Sequence, residues 1–157
     1  MTKEEFGRRV AGMMGTLYRV CYAQFCRQCD REDAVQEALR RAWEKRDTLR
    51  DERMFQTWLI RILLNECHSV QRRSGRMVLM AELPEGVAPP EADGALHDLL
   101  MALPDKLRIP VVLHYMEGYT IAECAEMLRI PQSMAKARLR AARLRLRDGL
   151  SGEVLEG

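Results

Sequence analysis

With 157 residues, 47% of them hydrophobic, the chain is long enough to bury a core, either as one domain or as two small ones. Its net charge of only +2 excludes an overall basic surface, so any positive field must be local. No window approaches the ~18 uninterrupted apolar residues that a membrane span needs, and the charged opening MTKEEFGRR is unlike a signal peptide, so the expected place is the cytoplasm, without membrane insertion.

In chain order, Phe6, Val10, Met13, Leu17, Val20 and Phe25 fall in the four-then-three rhythm of one helix face. Five cysteines in a reducing compartment read as free thiols. Cys26 and Cys29 form a CxxC pair, but no second pair completes it and His68, beside Cys67, is some forty residues away, so no metal site is expected. A second helix follows, with Asp30 or Asp33 available as its cap and Val35, Leu39, Ala42 and Trp43 as its apolar stripe. After a polar connection, Phe55, Trp58, Leu59, Ile62 and Leu63 begin a third amphipathic helix running to about Arg73. Strand-like alternation is absent, and residues 1–75 read as a small helical bundle.

Composition changes after Gly75. The stretch AELPEGVAPPEADG holds Pro84, Pro89 and Pro90 and four acids, so residues 76–94 read as an extended acidic linker. Helical periodicity returns at Leu96, Leu99, Leu100 and Leu103, and Pro104 ends that helix. DKLRIPVVLHYMEGYT forms the next, where Pro110 is tolerable in a first turn and Gly118 is the stop. Thr120 and Glu123 have capping-box spacing and start a short helix to about Leu128. RIP then turns the chain into a basic helix. Two helices on so tight a turn make a helix-turn-helix, which places a second small domain at 95–152 and gives an all-α chain of two helical domains joined by a Pro-rich acidic linker.

From Arg129 to Arg147 there are seven basic residues and no acid, whereas Ala81 to Asp98 carries five acids and no Lys or Arg. Ala135, Leu139, Ala142 and Leu146 make the inward seam of the basic helix and leave Ser133, Lys136, Ala137, Arg140 and Arg143 outside. A solvated face normally mixes signs; this one does not, which favours a polyanion as its partner.

TIAECAEMLRIPQSMAKARLRAARLRL resembles region 4 of bacterial sigma factors, and DREDAVQEALRRAWEKRDTLRDERMFQTWLIRILLNECHSVQRR resembles their region 2. Their order and the short linker are similar to the extracytoplasmic-function (ECF) group. The resemblance implies a dissociable subunit that gives RNA polymerase promoter specificity. It implies core RNA polymerase, promoter DNA and an anti-sigma factor as partners. Asp33, Gln36, Glu37, Arg40 and Trp43 match the stretch that in relatives docks on the polymerase clamp helices, with most of Trp43 expected in the core. Arg53, Phe55, Thr57, Trp58, Arg61, Asn65, Arg72 and Arg73 fall in the part that in relatives holds the single-stranded minus-10 element, although Phe55 is also readable as core and Trp58 is better read as core. Gln132, Ser133, Lys136, Ala137, Arg138, Arg140 and Arg143 match the part that contacts the duplex minus-35 element. The linker is similar to the segment that threads toward the RNA exit path.

Several positions depart from the pattern. Arg129 stands where a turn glycine is common, Met134 and Ala135 replace Thr-Val, Ala137 replaces Ser, and Ala141 stands where an Arg is common. A free-standing helix-turn-helix regulator and a sigma-like decoy for an anti-sigma protein are the alternatives. With His68, His97 and His114 scattered and no nucleophile-base or phosphate-loop pattern, neither a cofactor nor an enzymatic activity is expected.

Overall fold

The computed structural model describes residues 1–24, 28–78 and 94–156. Those residues are helical with no strand among them, and the backbone divides into two compact units, Met1–Gly86 and Val87–Gly157. The linker expected at 76–94 falls mostly outside the described residues.

In the first unit, α1 (Lys3–Tyr22) begins where the Thr2 hydroxyl accepts from the Glu5 N–H at 3.1 Å, with Glu4 and Glu5 in the first turn and Arg19 in the last. Its buried face is Phe6, Val10, Met13, Leu17, Val20 and Cys21. α2 (Gln28–Glu44) starts earlier than either aspartate could cap, so Asp30 sits inside its first turn and Asp33 lies exposed beyond it. The interior of α2 is carried by Ala34, Ala38 and Ala42, all 0% exposed, with Val35, while Leu39 is only half-buried. Small side chains at steps of four let α2 approach its neighbours closely. Short 3-10 turns at Arg46–Thr48 and Glu52–Met54 lead into α3 (Phe55–Val78), which buries Leu59, Ile60, Leu63, Cys67 and Val70.

Cys21 of α1 and Cys67 of α3 meet in this core with sulfurs 3.8 Å apart. The hydrogen bond to Cys21, then burial, push the Cys67 thiol well above the ordinary range, so it is a packing group and a poor nucleophile. Cys29 is exposed, and Cys26 lies outside the described residues.

In the second unit, α4 (Gly94–Ala102) is followed by α5 (Asp105–Val111), a wide π turn (Val112–Met116), α6 (Ile121–Leu128) and α7 (Gln132–Glu156). Pro110 is not in the first turn of α5. It lies buried in the second turn, where it has no N–H to offer the Lys106 carbonyl, and the helix widens directly afterwards. The Glu117 N–H reaches back to the Val112 carbonyl at 2.9 Å, and Gly118, at φ 80°, stops the element as expected. The capping box is present in full: the Glu123 N–H donates to the Thr120 hydroxyl at 3.1 Å, and the Thr120 N–H donates to the Glu123 carboxylate at 2.9 Å.

Arg129 closes α6 in the left-handed conformation, φ 57° and ψ 46°. The Ile130 N–H bonds the Ala125 carbonyl at 3.0 Å and the Arg129 N–H the Glu126 carbonyl at 3.2 Å, the two bonds of a Schellman turn. A side chain there strains the backbone, so Arg129→Gly is expected to stabilise this unit by about 0.5–1 kcal/mol. Thermal unfolding of the two proteins, showing a rise of several degrees in the variant, checks this.

Candidate functional site

Three surfaces carry the residues singled out by sequence. The first is on α2, where Asp33, Gln36 and Arg40 are exposed and Glu37 is half-buried. Spacings of three and four set them along one helix face. Arg40 links the cluster: its Nε donates to Glu37 at 3.2 Å and its Nη1 to Glu44 at 2.6 Å. The hydrogen bond from Arg40 is the main cause holding the Glu37 carboxyl below its usual range. Trp43 is half-buried, its ring edge-on to Phe6 at 5.2 Å, with the Arg46 guanidinium 3.9 Å from its centroid. Its contact with Phe6 therefore ties α2 to α1, and one face of the indole is covered by a cation.

The second surface runs along α3 and the turn before it. Arg53 projects with 91% of its side chain exposed, its Nε donating to Asp51 at 3.2 Å. Phe55 and Thr57 are 3% and 5% exposed, so both are interior and take no place on the surface set proposed from sequence. Trp58 and Arg61 are half-buried, and Asn65, Arg72 and Arg73 are exposed. The Arg61 Nε is buried without a hydrogen-bond partner among the described residues. A groove on α3 is lined by Asn65, His68, Ser69, Gln71 and Arg72. His68 was missed as a member of this face, although its place three residues after Asn65 and four before Arg72 was the signal for it.

Arg9 was missed too, and no sequence signal pointed to it. From α1 it donates to the Glu52 carbonyl and to the Glu52 carboxylate, each at 3.0 Å, and its guanidinium stands 5.6 Å from the Phe55 ring centroid. This tether fixes the turn that presents Arg53.

The third surface is the N-terminal half of α7. Ala135, Leu139 and Ala142 are buried at 0%, 2% and 0%, and Leu146 packs against the same cluster with Leu100, Leu103 and Val111. That seam orients the helix so that Gln132, Ser133, Lys136, Ala137, Arg140 and Arg143 are exposed and Arg138 is half-buried. Beneath it, α6 is locked by its capping box and Schellman turn, so the angle between the two helices is set by local hydrogen bonds as well as packing. No acid interrupts the positive face from Arg129 to Arg147.

The family model for Sigma-70 region 2 matches residues 10–77, and that for Sigma-70 region 4 matches residues 93–146. The RNA polymerase sigma-E factor of Streptomyces coelicolor is 32% identical over 133 residues, spanning 81% of this chain and 75% of that protein. The ECF RNA polymerase sigma factor SigW of Bacillus subtilis is 29% identical over 154 residues, 85% of this chain and 82% of its own. The chain belongs to the ECF family of RNA polymerase sigma factors.

This sigma factor also shares its fold with the sigma factor RpoE of Bartonella quintana, solved in complex with the anti-sigma factor NepR. The TM-score is 0.81 at 25% identity over 94% of this chain and 98% of that one. Among the described residues of the sigma factor, no helix is long and apolar enough to cross a membrane.

Proposed function

We propose that this protein works in the cytoplasm, where it binds core RNA polymerase and directs it to a promoter read at two elements, under the control of an anti-sigma factor. The observation that supports this most is the pairing of two surfaces of different chemistry. A helix-turn-helix carries a basic surface with no acid from Arg129 to Arg147, and a separate helical bundle carries exposed Asn65, Arg72 and Arg73 beside the Arg53 turn. Duplex contact needs a helix that fits the major groove. An opened strand instead needs cations for its phosphates and amides for exposed base edges, since separation costs about 1–2 kcal/mol per base-pair step.

In this reading the bundle is the region 2-like part, 1–75, and residues 95–152 are the region 4-like part, with the acidic segment between them threading toward the RNA exit path. On α2, Asp33, Gln36, Glu37 and Arg40 dock on the clamp helices of the polymerase, and Trp43 supports them from the α1 seam. On α3, Arg53, Arg61, Arg72 and Arg73 hold the phosphates of the displaced strand and Asn65 meets a base edge, while half-buried Trp58 packs beside Phe55 and supports that surface. The relatives' names supply the transcriptional role; no catalytic group is called for.

Run-off transcription with core polymerase, on the promoter upstream of this protein's own gene, tests the whole reading. Specific initiation is expected. Polymerase binding without initiation would point to a decoy, and tight operator binding by the isolated chain to a free-standing regulator. Replacing Gln36 and Glu37 together by Ala should weaken the affinity for core polymerase by at least tenfold while helicity stays unchanged, because neither side chain is buried in the core. Unchanged affinity removes α2 from the docking surface.

A further inference from the structure

α7 carries two apolar lines. The inward one is the seam of Ala135, Leu139, Ala142 and Leu146. A second, Met134, Ala137, Ala141 and Leu144, repeats at intervals of three and four and therefore lies on the opposite side of the helix. It stands at the surface: Met134 is 42% exposed, Leu144 43%, Ala137 exposed and Ala141 half-buried. Cations border it on both edges, Lys136, Arg140 and Arg143 along one and Arg138 and Arg145 along the other. The Arg138 Nη2 donates to the Met134 sulfur at 3.3 Å and holds the thioether against its edge.

An apolar line flanked on both sides by one sign of charge selects its occupant. A protein helix laid on it would need acids along both of its own flanks. The major groove supplies phosphates on both walls, and on its floor the apolar group that base pairs display there, the C5 methyl of thymine. Methionine and alanine side chains have no N–H or O–H to give a base edge, so the information open to them is the position of that methyl.

We propose that Met134, Ala137 and Ala141 form an apolar reader of thymine methyl groups in the upstream promoter element, between cations that take hydrogen-bonding base edges and phosphates. This rests on the reading of α7 as the duplex-contacting helix. Leu144 lies about 15 Å along the helix from Met134, beyond the width of a groove of about 12 Å, and is not assigned to the reader.

Holoenzyme assembled from core polymerase and the full chain selects an upstream element from a randomised duplex pool, and each thymine of that element is then replaced singly by deoxyuridine. The exchange deletes one methyl and keeps every hydrogen bond. At one or two positions it should weaken holoenzyme binding about three- to fivefold, the worth of one buried methyl. Met134→Gln and Ala141→Ser should each abolish the dependence at the position it faces, and Met134→Leu, still apolar, should keep it. A selected element without thymine, indifference to every methyl, or a dependence unchanged in both polar variants would overturn the reader. Arg140→Ala separates the levels: if it weakens binding while the methyl scan is flat, only the reader fails, and if it too does nothing, the assignment of α7 to DNA fails with it.

Discussion

Replacing Arg108 with Met is expected to destabilise the second unit by about 2–4 kcal/mol, a large share of what a unit of this size has. Arg108 is 6% exposed. Its guanidinium donates to the Leu103 carbonyl at 3.0 Å and to the Met101 carbonyl at 3.3 Å, the acceptors left open at the end of α4, and it pairs with the Asp105 carboxylate. Methionine fills much of the same volume, so the loss would come from orphaned acceptors more than from a cavity. Asp105, 61% exposed at its side chain, can return to water, which places the effect below that of a fully buried pair. Amide hydrogen exchange on the full chain checks it: protection should fall through α4 to α7 and stay level in α1 to α3. Undiminished protection in α4 would show that the carbonyls find other donors.

Arg140→Ala is expected to reduce transcription from promoters that depend on the upstream element by about five- to 150-fold, the equivalent of 1–3 kcal/mol, and to relax preference at one base position. Arg147→Ala should do little. Both arginines are exposed, and their spacing of seven puts them on one edge of α7, roughly 10 Å apart along the axis. Their difference therefore measures how far the helix enters the groove, not which way it faces. The salt dependence separates base from phosphate contacts, since loss of a phosphate contact lowers the slope by about one and weakens all sequences alike. A promoter-variant series in which the two substitutions behave alike would mean that α7 grips polyanions without reading them.

The seam of α7 was legible in the sequence because Leu139 and Leu146 are large, and their spacing with Ala135 and Ala142 admits one helical orientation. The capping box at Thr120 and Glu123 was legible because its hydrogen bonds join near neighbours. α2 was harder. The expected stripe of Val35, Leu39, Ala42 and Trp43 holds at Val35 and Ala42, but Leu39 and Trp43 are only half-buried and the interior is completed by Ala34 and Ala38, which a pattern weighted by side-chain size passes over. Of the residues assigned to the opened strand, Phe55 and Thr57 proved interior, Phe55 set edge-to-face against Phe6 of α1, while Gln56 between them stays exposed. Arg9 and Arg108 were out of reach for another reason. Beside their carboxylate partners Glu52 and Asp105, their roles depend on backbone carbonyls, at Glu52 for the one and at Met101 and Leu103 for the other, and the identity of a residue says nothing about where its carbonyl will be left open.

The short connections of the second unit bear on how quickly it becomes usable. α6 joins α7 through Arg129 to Pro131, and α5 reaches α6 through one π turn and the bend at Gly118, so even the packing of α4 and α5 on α7 closes only short loops of chain. Little chain entropy has to be surrendered before such contacts form, and domains of this kind fold in microseconds to milliseconds. Synthesis proceeds at about 5–20 residues per second, so folding of this unit is never the slow step in making the protein. The delay between synthesis of a molecule and its first engagement with a partner is then set by diffusion and by what else competes for it.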